Sequence, residues 1–251
     1  MSIESEYLEA FEVHDPAAIR AALDRGASAT EPIRGEPPIF HFLGGYLRSD
    51  RLGDCLRVLL DAGASLGDPI LEAILLDDRE AFARLHAAEG SAIFERRYSL
   101  ACAFTQCDEV TPLHLCVEFA RNACGAFAIE AGADLEARAG VDADGFGGQT
   151  PIFHAVNSIL DQGRPLLERL VAAGARTDVR VDGIVWGRGA DWETLILDPS
   201  PITYAQCGLL PQFHRDERSI AANLALLWQS RTGRELPLRN VPNRYLAPRR
   251  P

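Results

Sequence analysis

Residues 111–114 read Thr111-Pro112-Leu113-His114, and imperfect copies of this string recur along the chain. Thr150-Pro151-Ile152-Phe153, Pro37-Pro38-Ile39-Phe40, Asp68-Pro69-Ile70-Leu71 and Ser200-Pro201-Ile202-Thr203 repeat it, each followed by an apolar segment. A second string accompanies it: Leu59-Leu60-Asp61-Ala62-Gly63-Ala64, Ile129-Glu130-Ala131-Gly132-Ala133-Asp134, Val171-Ala172-Ala173-Gly174-Ala175 and Leu23-Asp24-Arg25-Gly26-Ala27. Self-similarity on this scale decides an architecture before any other pattern, because each repeat buries its apolar face only against its neighbours.

Each copy reads as a pair of helices. Thr or Ser at the first position can accept from an orphan backbone N–H and cap a helix. Pro at the second position suits the first helical turn, where its missing N–H is not needed. Apolar residues follow at helical spacing: Leu113, Cys116, Val117 and Ala120 in one copy, Ile152, Ala155, Val156 and Ile159 in another. A second helix, such as Leu56 to Leu60 or Leu166 to Ala172, packs a Leu-rich face inward. The Gly of the Ala-Gly-Ala string stops it, since Gly tolerates the left-handed conformation that ends helices.

Both strings resemble those of the ankyrin repeat family, whose unit is a β-turn plus two helices. The resemblance implies an all-α repeat solenoid of about six units over residues 1–233, at about 3–33, 34–66, 67–95, 109–138, 148–180 and 198–233. The first and last units are the least regular, as expected of caps with one open face. The Pro residues that open the first helices stand 31, 43, 39 and 50 residues apart, against a family period of about 33. The excess locates insertions around 88–108, at Gly140 to Gly148, and at 181–199. In the last, β-prone Ile184 to Trp186 and Trp192 to Leu197 flank the turn-rich Gly187-Arg188-Gly189-Ala190, a hairpin signature between units five and six. Residues 234–251 contain four Pro and no apolar periodicity and read as an extended tail.

Apolar residues make up 47% of the 251, enough to bury a core. No run approaches the ~20 apolar residues of a membrane helix, and the acidic start lacks the basic, then apolar, pattern of a secretory signal. A cytoplasmic location is the expectation. Every basic residue is Arg, consistent with a GC-rich bacterial genome. The net charge is −11; residues 231–251 carry six Arg and one Glu, which leaves about −16 on residues 1–230. So acidic a body repels nucleic acid and either steers a basic partner or simply keeps the chain soluble. Cys55, Cys102, Cys107, Cys116, Cys124 and Cys207 form no C-x-x-C pair, so the usual zinc spacing is absent, and reduced, mostly buried thiols are expected.

Candidate chemistry is sparse. His41 and His154 are read as solvated or groove-facing rather than metal-binding, and His14, His86 and His214 have no companion cluster. Asp142 and Asp144 faintly resemble the start of a calcium loop, but the twelfth position is Phe153 where a Glu is needed. No nucleophile elbow, phosphate loop, zinc-protease or dinucleotide motif occurs, so no catalytic residue, metal ligand or cofactor is expected. Trp228, at helical spacing from Leu224, is assigned to the core. Of Trp186 and Trp192, at least one is expected to fold back over the edge between units five and six; Arg188 at the hairpin tip is expected to reach solvent. In the family, the His of the Thr-Pro-Leu-His string bonds backbone within the turn network, so the resemblance gives His114 a structural role. Phe40 and Phe153 hold that slot in two units, a departure from the family pattern.

The resemblance further implies protein binding through the β-turn fingers and the inner face of the first helices. Its variable positions fall here at Glu118, Phe119, Phe146, Gln149, Asn157 and Ser158, and Trp186, Arg188, Asp191 and Trp192 extend the same surface. The expectation is a non-catalytic bacterial module, monomeric when free, that holds a protein partner with a basic surface; an antidote blocking a basic toxin or effector is one form. The alternative is an enzyme or small-ligand receptor using the notch near units five and six, with Asp142, Asp144, His154, Trp186, Arg188 and Asp191 available. Self-association through the hairpin edge is a third reading.

Overall fold

The computed structural model describes residues 2–45, 47–103, 105–210 and 215–237, so His214 and most of the tail lie outside the described residues. Helices come in consecutive pairs. They are α1 (Ile3–Glu12) with α2 (Pro16–Asp24), α3 (Pro38–Leu43) with α4 (Leu52–Asp61), and α5 (Pro69–Leu75) with α6 (Arg79–Glu89). There follow α7 (Pro112–Glu118) with α8 (Asn122–Glu130), α9 (Pro151–Ala155) with α10 (Arg164–Ala172), and α11 (Pro201–Cys207) with α12 (Glu217–Thr232).

The pairs join along two rows. In the first, α5 packs on α7, α7 on α9, and α9 on α11; in the second, α2 packs on α4, and α6, α8, α10 and α12 follow one another. One apolar cluster runs through the stack from Tyr7 to Leu227. Helices of five to seven residues are too short to persist alone in water, so packing between pairs, not propensity, holds the first row together.

The recurring strings do what their chemistry implies. Asp15, Asp68 and Ser200 accept N–H bonds at the starts of α2, α5 and α11. Thr111 donates its N–H to His114 Nδ1 at 3.2 Å, and His114 Nε2–H reaches the Gln149 carbonyl at 3.0 Å in the next unit. Burial holds this imidazole neutral, well below the usual histidine range, with repulsion from His154 adding to the effect. Helices α2, α4, α8 and α10 all end on a Gly (26, 63, 132 and 174) with φ between +89° and +107°. After each, an Ala N–H reaches back to a carbonyl of the helix: Ala27 to Ala22, Ala64 to Leu59, Ala133 to Ala128 and Ala175 to Leu170. That is the Schellman arrangement.

The long connections also carry structure. A 3-10 turn (Gly90–Glu95) leads into β1 (Tyr98–Leu100), which pairs antiparallel with β2 (Cys107–Val110) around an irregular register; no β-prone alternation marks this pair. Residues 141–147 form a finger closed by a Val141–Gly147 bridge. β3 (Gly183–Trp186) pairs antiparallel with β4 (Thr194–Leu197), Gly183 opposite Leu197 and Trp186 opposite Thr194. The arginines have a repeated structural use here. Arg97 donates to the Arg138 carbonyl, Arg138 to the Arg180 carbonyl, and Arg180 to the Asp198 carbonyl. Each guanidinium ties one finger to the next, and its fork of donors suits it to bridging carbonyls.

Candidate functional site

A first-row helix in an open stack leaves one face to water. Here α7 and α9 leave none: every residue from Pro112 to Glu118 and from Pro151 to Ala155 is buried. The cover is the chain itself. Arg48, in the α3–α4 connection, lays its guanidinium over the Phe119 ring at 4.5 Å. The segment between β1 and β2 crosses the same face. There the Cys102 thiol donates to Glu118 Oε1 at 3.0 Å, Thr105 bonds the Tyr204 hydroxyl at 2.7 Å, and the Gln106 carbonyl accepts from Gln149 Nε2 at 2.6 Å.

This corrects half of the expected binding surface. Glu118, Phe119, Gln149 and Asn157 are buried under these segments and not displayed. Asn157 spends its amide on the Tyr204 carbonyl. His154, expected to be solvated or to face an open groove, is also buried, with Nδ1 2.9 Å from Glu118 Oε2. The segment around 88–108 folds back over these positions, and the length of an insertion does not say where it goes. Ser158 is half-buried, and its hydroxyl accepts from the Gly163 N–H.

A buried polar centre results, which the sequence reading missed. Arg48 donates to the Gly45 and Leu47 carbonyls at 2.7 and 3.0 Å and to Cys102 Sγ at 3.4 Å, and lies 3.8 Å from Glu118. Glu118 thus faces Arg48, Cys102 and His154 together. The cost of burying charges is offset when they are paired and hydrogen-bonded; here Arg48 and Glu118 are paired, while Arg48 Nε and His154 Nε2 are buried without a partner. The signal that could have found it is a carboxylate at the end of α7 and an imidazole on α9 about one turn nearer that helix's start, facing each other across the unit boundary.

The hairpin stays partly open. Cross-strand neighbours share a face, so Ile184, Ile196 and Trp186 point inward, where Trp186 packs on Ala103, Ile159 and Cys207. Trp186 is therefore buried and not an exposed anchor, while Trp192 remains 39% exposed with its ring centroid 4.6 Å from that of Trp186. The opposite face carries Leu195 and Leu197, 43% and 67% exposed. Phe146, half-buried on the finger, approaches Leu195 over Gly183. Arg188 is exposed but engaged with Asp142 and, at 3.9 Å, with Asp108. Asp142 also accepts the Asp144 and Phe146 N–H groups, so it shapes the finger's own turn. Asp144, Asp182, Asp191, Glu193 and Asp198 rim the patch with exposed carboxylates. Trp228, assigned to the core, is half-buried.

A cleft of about 750 Å³ lies at the other end of the stack, between α1 and α3, with Leu8, Phe11, Val13, Phe42 and Leu47 in its walls. It does not coincide with the notch near the hairpin.

No protein-family model matches the chain, and no curated protein matches it. Among solved structures the chain is similar to the human ASB11 ankyrin repeat domain, with 16% identity and a TM-score of 0.39, covering 91% of this chain and 97% of that one. A likeness that distant carries no function across; the functional reading rests on this chain's own geometry.

Proposed function

We propose that the chain is a non-catalytic, six-unit protein-binding module that docks a basic protein partner on the edge made by the 141–147 finger and the β3–β4 hairpin. The observation that carries this reading is the exposed apolar pair Leu195 and Leu197 on a strand whose outer edge has no strand partner among the described residues. An open strand edge offers main-chain hydrogen bonds, and alternate side chains offer pockets. The carboxylate rim and the net charge of −11 select a partner of opposite sign and speed its arrival. Arg188, Asp191 and Trp192 stand at the tip of this edge, with Phe146 beside it. A bacterial antidote that covers the active site of a basic toxin or effector is the most specific form of this reading. The filled groove disfavours docking along the inner helices.

The test compares two baits in a low-salt pull-down: the wild-type chain and the Leu195→Asp/Leu197→Asp variant. A basic protein retained by the first and lost from the second is the expected result. Equal retention by both baits would move the binding surface elsewhere.

A further inference from the structure

The segment that closes the groove brings two thiols to a carboxylate. Cys102 Sγ, Cys107 Sγ and a Glu118 oxygen all lie within 4.8 Å of one another. Cys107 and Glu118 are buried and Cys102 is half-buried. We propose that these three residues form a site for a thiophilic divalent cation of the zinc class, which would pin the β1–β2 segment across the inner helices. This goes beyond the docking surface and does not depend on it.

Five features support it. The donor set is right, since two thiolates with a carboxylate suit zinc rather than magnesium or calcium. Donors on one tetrahedral zinc stand roughly 3.5–4 Å apart, given Zn–S near 2.3 Å, so the observed set closes with a shift of about an ångström. The charges also balance: two thiolates and one carboxylate carry three negative charges, which the dication and the Arg48 guanidinium cancel. Arg48 already lies 3.4 Å from Cys102 Sγ and 3.8 Å from Glu118 Oε1, and a neutral assembly is what a buried site tolerates.

The surroundings fit as well. His154 Nδ1 holds the other Glu118 oxygen at 2.9 Å, the kind of support that orients a ligating carboxylate. His154 is thus a positioning residue. Entry is open, because a surface cleft of about 340 Å³ has Cys102, Cys107, Leu100, Gln106, Asp108 and Arg188 in its walls. With three protein donors, a water admitted through this cleft would complete the coordination. Binding displaces a proton from each thiol into solvent, so affinity rises with pH. The Cys107 thiol is held protonated to well above its usual range by its hydrogen bond with Cys102 and by burial, and the metal has to overcome this. No C-x-x-C pair marks the site in the sequence: these cysteines are five residues apart and their third partner comes from α7.

The test titrates Co²⁺ into the full, reduced chain. The expected result is a sulfur-to-cobalt charge-transfer band and strong tetrahedral visible bands that saturate at one Co²⁺ per chain and bleach when Zn²⁺ is added. Cys102→Ser should abolish the charge-transfer band or reduce it sharply. Cys207→Ser, which alters the other half-buried thiol, should leave it unchanged. His154→Gln should keep the band while weakening affinity by about 10–100-fold. On the wild-type chain alone, Zn²⁺ should raise the Tm and a chelator should reverse the rise. No charge-transfer band at stoichiometric Co²⁺, or an undiminished band in a folded Cys102→Ser, would overturn the proposal.

Discussion

His114 shows how one residue links two units. Its two ring nitrogens take the Thr111 N–H and give a bond to the Gln149 carbonyl, which works only for a neutral ring. The unfolded chain protonates its histidines near pH ~6.5, while folded His114 resists protonation to well below that, and folded His14 titrates only at about 4 because of burial and the nearby Arg48. Stability is therefore full above about pH 6.5 and falls as the pH drops below it, since the unfolded state then binds more protons, at up to ~1.4 kcal/mol per pH unit for each such ring. Thermal melts between about pH 7 and 5 should show a falling Tm. His114→Phe should cost about 1–3 kcal/mol at neutral pH by orphaning its partners, yet flatten that slope. A slope as steep as wild type would mean the ring is not held neutral. Phe153 in the equivalent slot leaves the Thr150 hydroxyl without a partner, the same loss tolerated in one unit. Gly132 gives a second test at this scale. A Cβ there meets nothing within 4 Å, so Gly132→Ala isolates backbone strain at φ +89° and should cost about 1–2 kcal/mol in a denaturant titration. No loss would contradict the left-handed helix end.

At the scale of elements, the helix pairs were legible because capping and termination are local: Pro at a first turn and Gly past a last turn act within a few residues. The hairpin at 181–199 was legible for the same reason, since β-prone runs around Gly187 to Ala190 need no distant partner. What lies on each of its faces was less legible. Strand alternation puts Trp186 inward with Ile184, and this depends on a register that the sequence does not state. Trp186→Ala should lower stability by about 3–5 kcal/mol, while Leu195→Asp/Leu197→Asp should cost much less, because Leu197 faces water and Leu195 is partly exposed beside Phe146. Differential scanning calorimetry on the two variants reads both. If the Leu variants melt as early as Trp186→Ala, the faces are assigned the wrong way round. The β1–β2 pair escaped the sequence reading because its two strands are short, irregular in register and separated by a loop that carries the buried contacts.

At the scale of the molecule, the stack follows from repetition, but the closing of its inner face does not. Glu118, Phe119 and His154 occupy positions that an open solenoid would display, and a stretch that looks like a plain insertion covers them. Non-local contacts of this kind, such as Arg48 over Phe119, have no trace in periodicity. With a charge of −11 repelling further copies, light scattering over a concentration series should return a constant monomer mass; a mass that climbs with concentration would mean that β4 edges pair between chains. The central claim is that the groove is filled from within and that the hairpin edge is the open surface. Hydroxyl-radical footprinting of the free chain tests it most directly. The account predicts rapid oxidation of Trp192, Leu195 and Leu197 and strong protection of Phe119, His154 and Trp186, whereas Phe119 and His154 reacting as fast as Trp192 would contradict it.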